Sequence, residues 1–308
     1  MATAPLIQDI ENPGEDLVRK TVFVKLRLGL PGNSRKVSSA QVEVDADKRL
    51  VKVSKTLLAS PELEAVRRLD GEIRRYLYGV CLPFEPGIHL LPIPLIETVN
   101  ESLREFAAKR QDLVEVFLAA YPRLCAEAAS RLRTLYNPLD YPPAEEVRSE
   151  FSATWQYVSY GVPEQLREVS ERMFQDEREK AAQRMSEAYT EVRQVLREAM
   201  VELVAHLRDR LTDQPDGTPQ RLRESTVQKL REFLDTFDFR NVTNDEELKD
   251  QVERARALLA GTTTDAIRNT AELRSRVRAG IGAIAANLET MVSDRVGRKF
   301  RFTSRGDE

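Results

Sequence analysis

Histidine and cysteine are the side chains with which this sequence could hold a metal ion or attack a substrate, and both are scarce. The histidines are His89 and His206, and the cysteines are Cys81 and Cys125. A zinc site needs closely spaced Cys or His pairs, and neither histidine has such spacing to a cysteine. We therefore expect no metal and no cofactor, and we interpret both cysteines as reduced thiols in apolar, helical surroundings.

Motifs for binding phosphate or activating a nucleophile are missing from the sequence as well. The loop Gly29–Lys36 lacks the P-loop spacing, and Pro31 removes a backbone donor that would cradle a phosphate. Gly280 and Gly282 lie inside a helical pattern rather than after a strand, so they are not a dinucleotide fingerprint. An enzyme stays open as an alternative, because a Ser/His/Asp or Cys/His arrangement forms only in the folded chain.

Carboxylates cluster at two predicted helix starts, Glu145–Glu150 and Asp245–Glu247. Acidic side chains are favourable there because they interact with the positive end of the helix dipole. We take this structural role as the main interpretation, with metal-dependent carboxylate chemistry as the alternative.

Cations and aromatic rings alternate near the C-terminus, a pattern that suits nucleic acid. Arginine contacts phosphate and phenylalanine stacks on bases, so the candidate nucleic-acid-binding residues are Arg298, Lys299, Phe300, Arg301, Phe302 and Arg305. The preceding helical segment adds Arg268, Arg274, Arg276, Arg278 and Arg295. A solvated terminal arm is the simpler interpretation, and the net charge of -3 argues against a globally basic nucleic-acid binder.

Length and composition predict a mainly helical chain of about two domains. The chain has 308 residues, and its 31% charged content, dominated by Arg and Glu, is typical of long helices. No apolar stretch approaches the ~18–20 residues that cross a bilayer, and the first residues lack the apolar core of a secretory signal. We expect a cytoplasmic protein that has no membrane association and no evident small-molecule substrate.

Alternating patterns near the N-terminus predict a small β element. Thr21–Leu30 alternates apolar and polar residues, and Pro31–Asn33 predicts a turn after it. Gln41–Val44 and Leu50–Ser54 follow as further strands. Thr154–Tyr160 has the composition of a strand too, and we suggest that it pairs with the N-terminal strands.

Helical periodicity begins at Ser60, which precedes a proline and acidic residues suited to a helix N-terminus. The proline-rich residues 83–94 follow this helix and predict a rigid, apolar connector. A second helix covers about residues 96–120, with Arg110 interrupting its apolar stripe. Pro122 should then kink or break that helix.

The longest helical signal runs from Pro163 to residue 211. Its first half includes Gln175–Arg184, which is almost entirely polar and would project into solvent or need a partner. Its second half carries a heptad seam, the candidate partner-binding site, formed by Met185, Tyr189, Val192, Leu196, Ala199 and Leu203. The predicted C-terminal helix, about Asp265–Arg295, is the candidate partner of this helix in an antiparallel coiled-coil hairpin.

These elements predict a mainly α fold with a small β element (α+β), elongated by the coiled-coil-like hairpin. We divide the chain into a polar N-terminal arm or short helix (1–20) and a mixed domain with a small sheet and helices (21–160). A long helical domain (161–297) and a basic tail (298–308) follow.

Short segments spread along the chain carry a family resemblance. They are Gly87–Pro92, Tyr136–Pro142 followed by Phe151, Val162–Leu166, Leu222–Val227 and Arg240–Leu248. Together they resemble an uncharacterised phage and plasmid protein family catalogued as domain of unknown function 3150, over roughly residues 20 to 290. Such proteins are similar to products encoded beside MoxR-type AAA ATPases and von Willebrand factor A-type proteins. The resemblance therefore implies a helical adaptor or client-handling role and carries over no catalytic residues.

Three functional hypotheses follow from the sequence. The seam and the missing catalytic motifs favour a non-catalytic adaptor that works with an AAA ATPase or associates with itself. The Arg/Phe tail favours an accessory nucleic-acid-binding protein. An enzyme with an unrecognised site is the third hypothesis.

Overall fold

The chain is mainly helical with a small amount of antiparallel sheet, which confirms the predicted fold class. The computed structural model describes residues 13–38, 50–213 and 220–293. These residues divide into two compact units. The mixed unit comprises Val22–Tyr160, and the helical unit comprises residues 13–21 together with the described residues from Gly161 onward.

Helices dominate both units. They are α1 (Pro13–Lys20), α2 (Pro61–Val80), α3 (Ile96–Leu132), α4 (Ala144–Glu150), α5 (Gln165–Val169), α6 (Glu171–Leu211), α7 (Glu224–Arg240), α8 (Glu246–Leu259), α9 (Thr264–Asn269) and α10 (Ala271–Ser293). The strands are β1 (Thr21–Leu28), β2 (Ser34–Val37), β3 (Val53–Thr56), β4 (Leu82–Glu85), β5 (Ile88–Pro92) and β6 (Ala153–Val158). Short 3₁₀ helices lie at Ile93–Leu95, Arg133–Leu135 and Pro138–Asp140.

The main sheet of the mixed unit has the strand order β4-β5-β1-β6. β1 and β6 are antiparallel, with Phe23 opposite Val158 and Leu28 opposite Ala153. The strand predicted at Thr154–Tyr160 therefore joins the N-terminal strand. β2 and β3 form a separate antiparallel ribbon, whereas the strand predicted at Gln41–Val44 lies outside the described residues.

The proline-rich residues 83–94, predicted as a rigid, apolar connector, form a β-hairpin for most of their length, which the sequence pattern did not predict. β4 and β5 are antiparallel, with Leu82 opposite Leu90. Gly87 lies in the turn at a φ of 80°, a conformation that glycine adopts without steric cost. Pro83 is tolerated because β4 is an edge strand, where a missing N–H need not break the sheet.

α3 continues through Pro122, so of the predicted kink or break the break does not occur. A proline inside a helix removes one backbone hydrogen bond and crowds the preceding turn. Here Leu118, Tyr121 and Leu124 on either side of it are buried in the core that α3 shares with α2. We attribute the continuity of α3 to the burial of these side chains, which offsets the lost hydrogen bond.

Arg110, the interruption in the apolar stripe of α3, forms a buried ion pair with Asp70 of α2. The two side chains are 3% and 1% exposed. Arg110 Nε donates to Asp70 Oδ1 over 2.7 Å, and Arg110 Nη2 donates to the carbonyl oxygen of Gly29 over 2.6 Å. Gly29 leaves no room for a side chain, because an added Cβ would lie 2.5 Å from the carbonyl oxygen of Glu150. The ion pair thus ties together α2, α3 and the residue after β1.

The helical unit is built on α6, which is 41 residues long. It begins at Glu171 rather than at the predicted Pro163, because Ser170 caps it by accepting a hydrogen bond from the Met173 N–H. The polar stretch from residue 175 to 184 is mostly exposed, in keeping with its sequence.

α10 packs antiparallel on α6, as the sequence predicts. Arg274, near the start of α10, donates to the carbonyl oxygen of Arg210, near the end of α6. Arg197, in the middle of α6, donates to the carbonyl oxygen of Met291, near the end of α10. α6 also packs against α1 and α7, so it is a member of a helical bundle.

The polar arm predicted over residues 1–20 is, in its described part, the helix α1. Leu17 is fully buried, and α1 packs on α6. Lys20 Nζ donates to the carbonyl oxygen of Val242 over 3.2 Å. An apolar contact and a hydrogen bond therefore hold α1 within the helical unit, because a short amphipathic helix buries its apolar side where it can.

We predict that Arg110 and Asp70 depend on each other for stability. Asp70→Asn leaves a buried guanidinium without its counter-charge, and we expect a loss of about 3–5 kcal/mol in the free energy of unfolding. The paired change Asp70→Leu with Arg110→Met removes both charges and should be much less destabilising. Urea unfolding measures these changes, and Arg123→Gln, which removes exposed pairs, should cost less than about 1 kcal/mol. Equal losses in the single and paired variants would contradict this account.

Candidate functional site

A groove of about 730 Å³ lies in the helical unit between α6, α10 and the start of α8. Its α6 wall carries polar groups, and its α10 wall ends in two apolar residues. The lining residues are Ser186, Tyr189, Thr190, Arg193, Gln194, Arg197, Glu247, Thr290, Met291 and Val292. Groups for hydrogen bonding, a guanidinium and an apolar surface therefore converge in one place.

Asp245 does not line the groove but is bound by two residues that do, Arg193 and Arg197, and its side chain is 1% exposed. It caps α8, because its Oδ1 accepts a hydrogen bond from the Leu248 N–H over 3.3 Å. Its own backbone N–H donates to Asn241 Oδ1 over 2.8 Å. The carboxylate therefore accepts one hydrogen bond from the α8 backbone, and the Asn241 side chain holds the backbone of Asp245 in place.

Arg197 binds Asp245 through two parallel hydrogen bonds. Arg197 Nε donates to Oδ2 over 2.6 Å, and Nη2 donates to Oδ1 over 2.8 Å. The same guanidinium donates to Glu247 Oε2 over 2.6 Å and to the carbonyl oxygen of Met291 over 3.3 Å. One side chain of α6 thus connects the start of α8 with the end of α10, and these contacts set the width of the groove.

The Asp245 carboxylate is ionised in spite of its burial. Burial by itself raises the pKa of a carboxyl group, but the hydrogen bonds from Arg197 and Arg193 outweigh it and leave the pKa of Asp245 below its ordinary value. The hydrogen bond that Arg197 donates to Asp245 in turn raises the pKa of Arg197. The pair is therefore fully charged at neutral pH.

Two further side chains shape the groove. The Tyr189 hydroxyl donates to the carbonyl oxygen of Thr243 over 2.8 Å, which fixes its ring along the wall. Arg193 makes one longer contact, from Nη2 to Asp245 Oδ1 over 3.3 Å, and its side chain is 38% exposed. Arg193 is thus anchored at one end and open to solvent at the other.

The predicted seam residues divide between the core and the groove. Val192 and Leu196 are fully buried, and Met185 is nearly so. Tyr189, Ala199 and Leu203 are partly buried. The buried members pack within the helical unit, where α10 covers α6, and Tyr189 is the seam residue that also lines the groove.

Most of the basic residues predicted to bind nucleic acid either lie outside the described residues or are bound by other groups of the chain. Arg298, Lys299, Phe300, Arg301, Phe302 and Arg305 lie outside the described residues, as does Arg295. Of the arginines before them, Arg268 donates to the carbonyl oxygen of Leu222 over 2.7 Å, and Arg278 donates to Asp213 over 3.0 Å. Arg274 is bound to backbone carbonyls and is 11% exposed. These three arginines are therefore occupied by acceptors of the chain itself.

The histidines and cysteines stand apart from the groove. His89 lies on β5 with its ring 5.1 Å from that of Tyr78, and burial lowers its pKa. Cys81 and Cys125 are not joined in a disulfide. Over residues 13–38, 50–213 and 220–293, no group of three or more His, Cys, Asp or Glu side chains is arranged to hold a metal ion.

A cluster of phenols in the mixed unit is the feature that sequence reasoning missed most completely. The Tyr121 hydroxyl donates to the carbonyl oxygen of Pro142, and the Tyr141 hydroxyl donates to that of Leu57. Burial is the main cause that raises the pKa of Tyr121, and it raises that of Tyr141 to about 12. The cavity beside them is only about 40 Å³, so we assign these groups to the packing of the mixed unit.

Within the described part of the chain, no helix is long and apolar enough to cross a membrane.

We predict that Asp245 makes the stability of the helical unit depend on acid pH. Because the native pKa of Asp245 lies below its ordinary value, its contribution is present at neutral pH and is lost as the pH falls from about 4 through that native pKa. Asp245→Asn should lower the free energy of unfolding at pH 7 by about 3 kcal/mol. The difference between the native chain and this variant should shrink towards pH 2.

Denaturant unfolding across this pH range measures both quantities. Asp238→Asn, at an exposed position of the same unit, is the control and should cost less than about 1 kcal/mol at pH 7. A difference that stays constant from pH 7 to pH 2 would show that the Asp245 charge is not what stabilises the unit.

Comparison with known proteins adds no relative to this picture. No family model matches the chain, and no curated protein or solved structure shows significant similarity to it. The family resemblance described from the sequence stays a prediction. The function of the chain is therefore argued from the geometry of the groove itself.

Proposed function

We propose that this protein is a non-catalytic helical interaction protein that binds a segment of a protein partner in the groove between α6 and α10. The observation that carries this proposal is the groove itself, about 730 Å³ in volume and lined by side chains of three packed helices. This volume lies within the range of about 300–1,000 Å³ that is usual for ligand-binding clefts. The proposed site is therefore the groove rather than the buried part of the seam.

The walls of the groove suit an extended polypeptide. Ser186, Thr190 and Gln194 follow one another at intervals of four residues on one face of α6, which places them in a row about 12 Å long. Side chains in such a row can hydrogen-bond to successive backbone groups of a peptide. Met291 and Val292 on the α10 wall offer apolar surface to a side chain of the same peptide.

The charged and phenolic groups in and next to the groove suit binding better than catalysis. Asp245 and Glu247 are both bound by Arg197, and Tyr189 is bound by a backbone carbonyl. Groups held in this way are rigid supports, which reduce the entropy lost when a partner binds. An acid or base for catalysis would instead need a proton that it can exchange with a substrate.

The identity of the partner is a separate part of the proposal. An AAA ATPase of the MoxR type is the candidate that the family resemblance suggests, and self-association is the alternative. Nucleic-acid binding is the less favoured function, because Arg268 of α9 and Arg274 and Arg278 of α10 are engaged by backbone carbonyls or by Asp213.

We predict that filling the groove abolishes peptide binding. The full chain is used to select binders from a random heptapeptide display library, and the selected peptides are measured by fluorescence anisotropy. Ser186→Trp places a large ring in the groove and should weaken binding at least tenfold. Ser275→Trp makes the same change at an exposed position of α10 outside the groove and should leave binding unchanged.

The thermal unfolding midpoint of both variants is measured alongside, so that loss of folding is not mistaken for loss of binding. Failure to select any peptide, or equal binding to the native chain and Ser186→Trp, would contradict the proposed function.

A further inference from the structure

We infer that the groove recognises a carboxylate side chain on its partner segment and that Arg193 is the residue that binds it. This inference rests on the proposed function and adds the chemistry of the partner. It comes from the way in which four charged side chains, Arg193, Arg197, Asp245 and Glu247, share their hydrogen bonds.

Asp245 is bound mainly by Arg197 and only secondarily by Arg193. Both of its carboxylate oxygens are taken by Arg197 over 2.6 and 2.8 Å, within the range of strong charge-assisted bonds. The contact from Arg193 to Asp245 Oδ1 is longer, at 3.3 Å. This contact therefore orients the Arg193 guanidinium but leaves most of its N–H donors unused.

Arg193 keeps donors for a ligand. A guanidinium presents a planar fork of N–H donors and no acceptor. Among the described residues, Asp245 is the one acidic side chain within ion-pair distance of Arg193. Because the side chain is 38% exposed and lines the groove, its remaining donors face the space that a partner would occupy.

Glu247 does not compete for this role. It is bound by Arg197 over 2.6 Å, and its side chain is 71% exposed, so water screens its charge. Arg197 thus bonds directly to both carboxylates of the region. The two arginines and the two carboxylates cancel in formal charge, so an incoming carboxylate is recognised by the unused N–H donors of Arg193 rather than by a net positive charge.

The surroundings of Arg193 favour an acidic peptide over nucleic acid. Thr190 and Gln194 beside it are neutral, and Met291 and Val292 on the α10 wall are apolar. Binding of a nucleic-acid backbone needs several cations, because each neutralises one phosphate. A single oriented guanidinium next to apolar surface instead matches one Asp or Glu side chain flanked by an apolar residue.

Random heptapeptide display on the full chain tests this inference. We expect the selected peptides to be enriched in Asp or Glu at one position. Arg193→Gln should weaken the binding of a synthetic peptide of the selected sequence at least tenfold. Replacing the acidic residue of the peptide by its amide should weaken binding to the native chain by a similar factor. The two changes together should weaken binding little more than either change alone.

The controls separate this inference from the proposed function. Arg178→Gln removes an exposed arginine of the same helix, outside the groove, and should leave the affinity unchanged. The amide form of the peptide tests the native chain, so the inference stays testable even if Arg193→Gln unfolds. Suppose that Ser186→Trp weakens binding of the selected peptides, but that these peptides share no acidic residue or bind Arg193→Gln as tightly as the native chain. That result would overturn the inference and leave the proposed function intact.

Two other outcomes would also overturn it. If no peptide depends on Ser186, the proposed function and the inference fail together. If sedimentation shows that the chain self-associates and that Arg193→Gln abolishes this without changing peptide affinity, the groove takes a second copy of the chain.

Discussion

The hydrogen-bonded ion pair between Arg197 and Asp245 is the interaction on which the helical unit depends. The two residues are 48 positions apart and belong to α6 and to the cap of α8. Their charges are removed from water, which is costly unless every donor and acceptor is satisfied. Here the carboxylate receives two bonds from Arg197 and one from the α8 backbone, and Arg197 also reaches the carbonyl oxygen of Met291. One buried carboxylate thereby fixes how α6, α8 and α10 lie relative to one another, and the groove is the space that this arrangement leaves open.

The mixed unit also contains a buried ion pair between an arginine and an aspartate, but this pair lies inside a packed core. Arg110 and Asp70 join α2 and α3, and the Gly29 carbonyl completes the bonding of the guanidinium. The two side chains of this pair are only 3% and 1% exposed, and Gly29 beside them approaches Ser152 and Glu150 too closely to admit a side chain. A buried Arg–Asp pair therefore closes a core in one unit and borders a groove in the other. The difference lies in the neighbours: Arg197 has Arg193 one turn before it on the solvent side, whereas Arg110 is enclosed.

Sequence patterns predict the elements that depend on local periodicity. The strand from Thr21, the helix capped by Ser60 and the pairing of α10 with α6 all follow from apolar spacing within one segment. Patterns fail where distant residues decide the outcome. Proline content suggests a connector at residues 83–94, but pairing within the sheet makes it a hairpin. A proline rule predicts a kink or break at Pro122, but burial of its neighbours keeps the helix continuous.

The candidate site is hidden from the sequence for the same reason. Arg110 looks like a flaw in an apolar stripe, and Asp245 looks like one acid among several at a helix start. Their roles depend on partners dozens of residues away, which no single-sequence pattern reveals. The seam is the nearest signal to the groove, since Tyr189 belongs to both. Met185, Val192 and Leu196 of the seam are buried inside the unit, where the same apolar spacing packs a core.

Hydrogen–deuterium exchange of the native chain and of Arg197→Gln tests the central role of the ion pair most directly. If Arg197 holds three helices together, the variant should exchange faster at the amides that open α8, residues 246–250, and at those that end α10, residues 287–292. The amides of α7, which Arg197 does not contact, should exchange as in the native chain. Faster exchange confined to one of the two segments, or unchanged exchange in both, would show that the groove does not depend on this pair.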